Sequence, residues 1–185
     1  YYKRYDGCIP HVVERLNQGA IGDFRTVTAW YSGPFDAVGS HVIDLLRYLL
    51  GPLSVKSVHA VTVERYTAIL TFGAGGLAVL HATGPREDFI FEMDLLGSKG
   101  RIRILDNCTH AEFYRFEESR RYGGYRELFL EPCREYVSRE RFLPLFLEVA
   151  DQLDGKGGTL IADGRSALAS QEIMENVSRK IKEMT

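Results

Sequence analysis

Between residues 54 and 130 apolar and polar side chains alternate with a period of two, and on either side the apolar positions recur every three to four residues. Alternation predicts strands and the longer period predicts helices, because neighbouring strand side chains point to opposite faces. Val55, Val58, Val61 and Val63 mark a strand over residues 54–64. In the next, Tyr66, Ala68, Leu70 and Phe72 share one face, with Thr67, Ile69 and Thr71 on the other. Further strands are expected over residues 77–83, 89–95, 101–105, 111–116 and 125–130. The connections between them are short, which makes consecutive strands antiparallel neighbours.

The flanks read differently. Ile9–Asn17 is expected to be a helix, with Pro10 in its first turn, Val12, Val13 and Leu16 apolar, and Gly19 past its end. Phe24–Tyr31 mixes β-branched and aromatic residues as a strand does. Residues 33–51 form a turn and then a helix, with Ser40 as N-cap, Val42, Ile43, Leu45, Leu46, Leu49 and Leu50 on the apolar face, and Gly51-Pro52 as the stop. Phe142, Leu145, Phe146, Val149 and Leu153 recur at helical spacing, so that helix is expected to pack on the sheet. After a break at residues 155–158, Asp163 caps a last helix that buries Met174, Val177 and Ile181. The order predicts an α+β fold: an open, mostly antiparallel sheet with helices packed on one face. Thr67/Ile69/Thr71 and Leu77/Val79 leave the other face partly apolar as well, so a second copy of the chain is expected to cover it, as a dimer or a tetramer.

The 185 residues suit one domain, and a formal charge of −2 gives no electrostatic footprint for nucleic acid or an anionic membrane. The charges of residues 115–126 are mixed in sign, as on a solvated hairpin end. Cys8, Cys108 and Cys133 are odd in number and widely separated, which argues against a disulfide framework and fits a reducing cytoplasm. His11, His59, His81 and His110 lack ligand spacing, so no metal is expected. No apolar run reaches membrane-spanning length. The chain opens on Tyr1 without an initiator Met, and is expected to be a piece of a longer protein. Glycine turns at residues 73–76, 97–100 and 155–158 do not follow a strand and open a helix, as phosphate-cradling loops do, so no cofactor-binding residues are assigned.

The candidate chemistry gathers near the start of the second helix. His41 and Asp44 are three apart and share a helix face. A carboxylate beside an imidazole fixes its tautomer and raises its basicity, which suits a general acid or base. From spacing alone the plainer reading is favoured, in which His41 caps the helix and Asp44 makes a surface contact. Trp30 and Ser32 end the strand before this helix, with Trp30 either a core residue or a floor under a sugar ring.

The run Gly39-Ser40-His41-Val42-Ile43-Asp44-Leu45-Leu46-Arg47-Tyr48-Leu49-Leu50-Gly51 resembles a helix of the glucose–fructose oxidoreductase and inositol dehydrogenase (Gfo/Idh/MocA) family, in its C-terminal domain. Tyr2-Lys3-Arg4-Tyr5-Asp6 is similar to that family's basic-aromatic opening strand, residues 13–22 to its first helix and turn, and Leu95-Leu96-Gly97-Ser98-Lys99-Gly100 to a turn between its sheet strands. The resemblance covers nearly the whole chain. It implies a C-terminal substrate-binding and oligomerisation domain of the dihydrodipicolinate-reductase-like, glyceraldehyde-3-phosphate-dehydrogenase-like type, with an N-terminal Rossmann domain outside residues 1–185. It implies an oxidoreductase that uses NAD or NADP, held mainly by that other domain, on a sugar, cyclitol or related polyol. Under it His41 is the acid/base or substrate-orienting group, Asp44 its orienter, and Lys3, Arg4, Trp30 and Ser32 lie near substrate. Strand alternation is expected to send Lys3 and Arg4 to opposite faces, so that only one enters the cleft. There is one departure. The family's carboxylate four residues before the histidine is Ala37 here, and Asp36 stands one residue further back as a stand-in. Ala37 favours the alternative, a non-catalytic binding or dimerisation module.

Overall fold

In the computed structural model, residues 1–85, 87–132 and 142–184 are described; Cys133 lies outside them. Eight strands form one sheet: β1 (Phe24–Tyr31), β2 (Leu53–Thr62), β3 (Arg65–Phe72), β4 (Gly76–Thr83), β5 (Phe91–Gly97), β6 (Gly100–Leu105), β7 (His110–Glu118) and β8 (Arg126–Leu130). Their order across the sheet is β2-β3-β4-β1-β5-β6-β7-β8. Four helices accompany them: α1 (Ile9–Asn17), α2 (Ser40–Leu50), α3 (Leu143–Leu153) and α4 (Gly164–Lys182). The architecture is the expected α+β one. β1 and β4 pair in parallel, with Trp30 opposite His81, while the other pairings are antiparallel. The parallel pair arises because the chain leaves β1 through α2, re-enters at the sheet edge as β2, and meanders back.

Burial follows the alternation. Val27, Ala29 and Tyr31 of β1, Ala68 and Leu70 of β3, Leu80 of β4, and Met93 and Leu95 of β5 are buried against α1, α2 and α4. Helix α2 contributes Val42, Ile43, Leu45 and Leu46, and α4 contributes Ile173, Met174, Val177 and Ile181. Asp163 caps α4 as expected, its carboxylate accepting from the Ser166 N–H at 2.7 Å.

Three expectations fail. Helix α3 does not bury its apolar stripe in the sheet: none of its residues is buried, and Phe146 and Leu153 are 65% and 85% exposed. Periodicity specifies an apolar face but not what covers it. The opening strand is instead a 3-10 turn, Tyr2–Tyr5. Ser40 is not an N-cap either, because the chain is already wound before it, in a π-helical turn over Phe35–Gly39. Val38 and Gly39 both donate backbone hydrogen bonds to Pro34 O, at 2.8 and 3.3 Å. Ser40 Oγ donates back to Ala37 O at 2.7 Å. The turn lies directly on core aromatics. A Cβ at Gly39 would stand 2.4 Å from the Phe35 ring and 3.0 Å from Tyr31 Oη, so only glycine fits. Tyr31 and Tyr66 share a hydroxyl hydrogen bond of 2.7 Å beneath it, and burial raises the pKa of both.

Candidate active site

His41 lies in the first turn of α2, where the π turn becomes α-helical. The Tyr1 and Tyr2 rings meet it edge-on, with centroids 5.6 and 5.0 Å away, and Phe142 packs on Tyr2 at 5.0 Å. These rings half-bury the imidazole, and its Nδ1 is fully buried with no hydrogen-bond partner among the described residues. The His41 pKa is lowered, first by burial, then by the positive charge of Lys3; Asp44 acts in the opposite direction. Burial and the Lys3 charge both favour the neutral imidazole, which can donate or accept a single proton.

Asp44 is not the orienter of His41. Its carboxylate is fully buried, and a guanidinium fork occupies both oxygens: Arg4 Nε donates to Oδ2 at 2.8 Å and Arg4 Nη2 to Oδ1 at 2.6 Å. Ser170 of α4 adds a third donor, Oγ to Oδ1 at 3.0 Å. Arg4 also donates through Nη1 to Ile161 O and lies over the Tyr48 ring at 5.0 Å. Arg47, one turn further along α2, donates to Ser166 O at 2.9 Å and to Ser170 Oγ at 3.1 Å. A bidentate, charge-assisted pair away from water wins over a neutral imidazole one turn away.

Nor are Lys3 and Arg4 split between core and cleft. Both are buried, at 3% and 5% exposure, because a 3-10 turn does not alternate sides as a strand does. Lys3 Nζ donates to Asp6 Oδ2 at 2.9 Å, to Asn107 Oδ1 at 2.6 Å and to Asn107 O at 3.3 Å, which matches its three N–H groups. Asn107 belongs to a run of three non-glycine residues at positive φ, Asp106 (49°), Asn107 (57°) and Cys108 (69°). Lys3 helps to hold this left-handed turn, as does the Cys8 N–H, which donates to Cys108 O at 2.8 Å. The Asp-Asn doublet after a strand is a turn signal, but nothing local pairs it with Lys3.

Asp36 is exposed in the π turn and makes no hydrogen bond or ion pair among the described residues. It lines a cavity of about 480 Å³ with Phe35 and, from α4, Glu175, Arg179 and Lys182; His41 is not on that wall. Ala37, four residues before His41, offers no carboxylate. Trp30 is half-buried on the sheet face away from α2, stacked on His81 at 5.9 Å and 20°. Ser32 does not share that position. It lies past the end of β1, buried, with its Oγ accepting from the Ile90 N–H at 3.0 Å. The structure therefore gathers Tyr1 and Tyr2 around His41, with Phe142 against Tyr2, and uses Arg4, Asp44, Lys3 and Ser32 to brace the scaffold.

Glycine turns 73–76 and 97–100 are the β3–β4 and β5–β6 hairpins, and residues 155–158 follow α3. None opens a helix, so none of the three is a phosphate-cradling loop of the dinucleotide-binding kind. Among the described residues no group of three or more His, Cys, Asp or Glu is placed to hold a metal ion. No described helix is long and apolar enough to cross a membrane.

A family model described as the C-terminal alpha/beta domain of an oxidoreductase family, GFO_IDH_MocA, matches residues 17–185. The chain belongs to that family. Its fold is shared with solved structures of low identity. One is the WlbA dehydrogenase of Bordetella pertussis, in complex with NADH and UDP-GlcNAcA, at 18% identity and a TM-score of 0.71 over 98% of this chain and 60% of that one. A 3-ketoreductase from Actinomadura kijaniata, in complex with NADP, is similar at 18% identity and 0.67, over 97% and 59%. A levoglucosan dehydrogenase in complex with NADH and L-sorbose is similar at 11% identity and 0.74, over 98% and 62%. The chain thus spans about three fifths of the length of these proteins. A sequence search of curated proteins finds no match.

Proposed function

We propose that this chain is the substrate-binding domain of a nicotinamide-dependent oxidoreductase acting on a sugar, cyclitol or related polyol. The observation that carries the reading is His41, half-buried within an aromatic wall at the head of α2, in a domain of an oxidoreductase family. NAD or NADP, when bound, supplies the hydride chemistry, and it would be held mainly by an N-terminal Rossmann domain outside these residues. This chain's part is to bind the polyol and pass a proton to or from its oxygen at His41. The bare apolar side of α3, with Tyr5 bonded to its Glu148, adjoins the segment leading into the domain, and we assign it as the surface that the nucleotide domain covers. The open sheet face is assigned to a second copy of the chain. Buried Cys8 and Cys108 suit a reducing cytoplasm.

The decisive test uses the complete enzyme and a panel of polyols with NAD and NADP. His41→Ala should lower turnover by about a hundredfold or more, with the melting temperature nearly unchanged. Near-normal turnover in that variant would overturn the role of His41. A second reading, a binding module without redox activity, is favoured by Ala37 and by the orientation of Asp36 toward α4. Absence of turnover across the panel, with ligand binding retained, would select it.

A further inference from the structure

Three observations around His41 belong together. Its Nδ1 is buried and without a partner among the described residues. The nearest carboxylate on its own helix, Asp44, gives both oxygens to Arg4 and accepts a further bond from Ser170. Arg4 is two residues from Tyr2, whose ring contacts His41, so the same fork that engages Asp44 fixes the segment that walls the imidazole. We propose that Arg4 is a positioning residue that withholds Asp44 from His41 and so leaves the imidazole tautomer to be set by bound substrate.

The chemistry follows from what a carboxylate does to histidine. A His–carboxylate pair fixes the proton on the nitrogen facing the carboxylate, and the other nitrogen then acts as a base. Without that pair, Nε2 can present either an N–H to a ketone oxygen or a lone pair to a hydroxyl. Such a group suits proton transfer in either direction of a ketone–alcohol interconversion. The inference rests on the reading that His41 faces substrate, but its test does not require turnover.

The charged groups facing His41 are Lys3 from the opening segment and Asp44 from α2. Removing the fork changes the balance among them in one direction. In Arg4→Met the freed carboxylate should swing to Nδ1. NMR titration of the histidine ring should then find the His41 midpoint above the ordinary 6.5, with the Nδ1–H tautomer in its nitrogen shifts. Loosened packing alone would bring the midpoint up to 6.5 and no further, so the two causes separate. The double variant Arg4→Met/Asp44→Asn lacks the carboxylate and should return the midpoint below 6.5. Arg4→Gln keeps one donor for Asp44 and serves where Arg4→Met does not fold; the same rise is expected. A His41 midpoint at or below the wild-type value in a folded Arg4 variant would overturn the proposal. Loss of turnover in His41→Ala tests the substrate reading separately, since the titration is read on the chain itself.

Discussion

Arg4 and Asp44 are two charges held out of water as a matched pair. The pair is almost fully buried, and Ser170 Oγ and Ile161 O each add a further hydrogen bond to it. Deleting one member would leave the other as an uncompensated charge. Gly7 is a second point of fixed geometry, at φ +48°, with a Cβ there 1.9 Å from Cys108 O. That oxygen belongs to the left-handed turn that Lys3 braces, and backbone cannot yield as a side-chain tip does. Gly7→Ala is therefore expected to cost about 2–4 kcal/mol in denaturant titration, from strain and overpacking together. His41 adds a pH dependence whose sign is set by its lowered pKa. Between the folded midpoint and 6.5 the unfolded chain binds more protons, so stability rises with pH across that window. It is lost as pH falls from about 6.5 through the folded value, and His41→Gln should flatten that limb of the stability profile. An identical profile in variant and wild type would contradict the neutral, buried imidazole.

Among the helices, α2 and α3 carry similar apolar patterns and meet opposite fates. Leu45 and Leu46 of α2 are fully buried in the core, while α3 touches the rest of the described structure chiefly through the opening turn and Glu148, which also accepts from the Ile161 N–H at 3.0 Å. The energetic consequence is a contrast. Leu46→Ala should destabilise the chain by about 2–5 kcal/mol through lost burial and a residual cavity. Phe146→Ser should change stability by less than about 0.5 kcal/mol, because the ring is 65% exposed. Thermal and urea unfolding of the two variants measure this directly. A large loss in Phe146→Ser would mean that α3 is packed in the chain by itself.

For the whole molecule, the open sheet face is the surface proposed to carry a second copy of the chain. It is not uniformly apolar. Toward β2–β4 it presents Ile69, Leu77 and Val79, and toward β5–β7 it carries Asp94, Arg101, Arg103 and Glu112. The charges are already matched: Arg101 Nε donates to Asp94 Oδ1 at 2.7 Å, Arg103 to Glu112 at 2.9 Å, and Tyr114 Oη to Glu112 at 2.8 Å. The hydrogen bond to Asp94 also raises the Arg101 pKa. A partner covering these pairs would find Asp94, Arg101, Arg103 and Glu112 already compensated. Light scattering at micromolar concentration is expected to give a dimer, and Val79→Glu, placed in the middle strands, to give a monomer that remains folded. A wild-type monomer would remove the assignment of this face to a second copy.

The strands, α1, α2 and the Asp163 cap of α4 were legible from residue order because period, caps and turn residues act within a few positions of one another. The α+β class followed. Partner choice was not legible. Asp44 lies three residues from His41 and forty from Arg4, yet it binds Arg4, because a buried guanidinium fork satisfies both of its oxygens and an imidazole can satisfy one. Lys3 finds Asn107 across 104 residues for a similar reason, since an ammonium out of water needs acceptors wherever the fold brings them. The side of the sheet that Trp30 faces, the orientation of Asp36 toward α4 and the bare face of α3 were likewise settled in three dimensions. Local sequence determined which elements form and where the candidate side chains stand along them. Tertiary structure decided which of those side chains meet, because desolvation penalises every buried charge until a specific partner, often remote in the chain, compensates it.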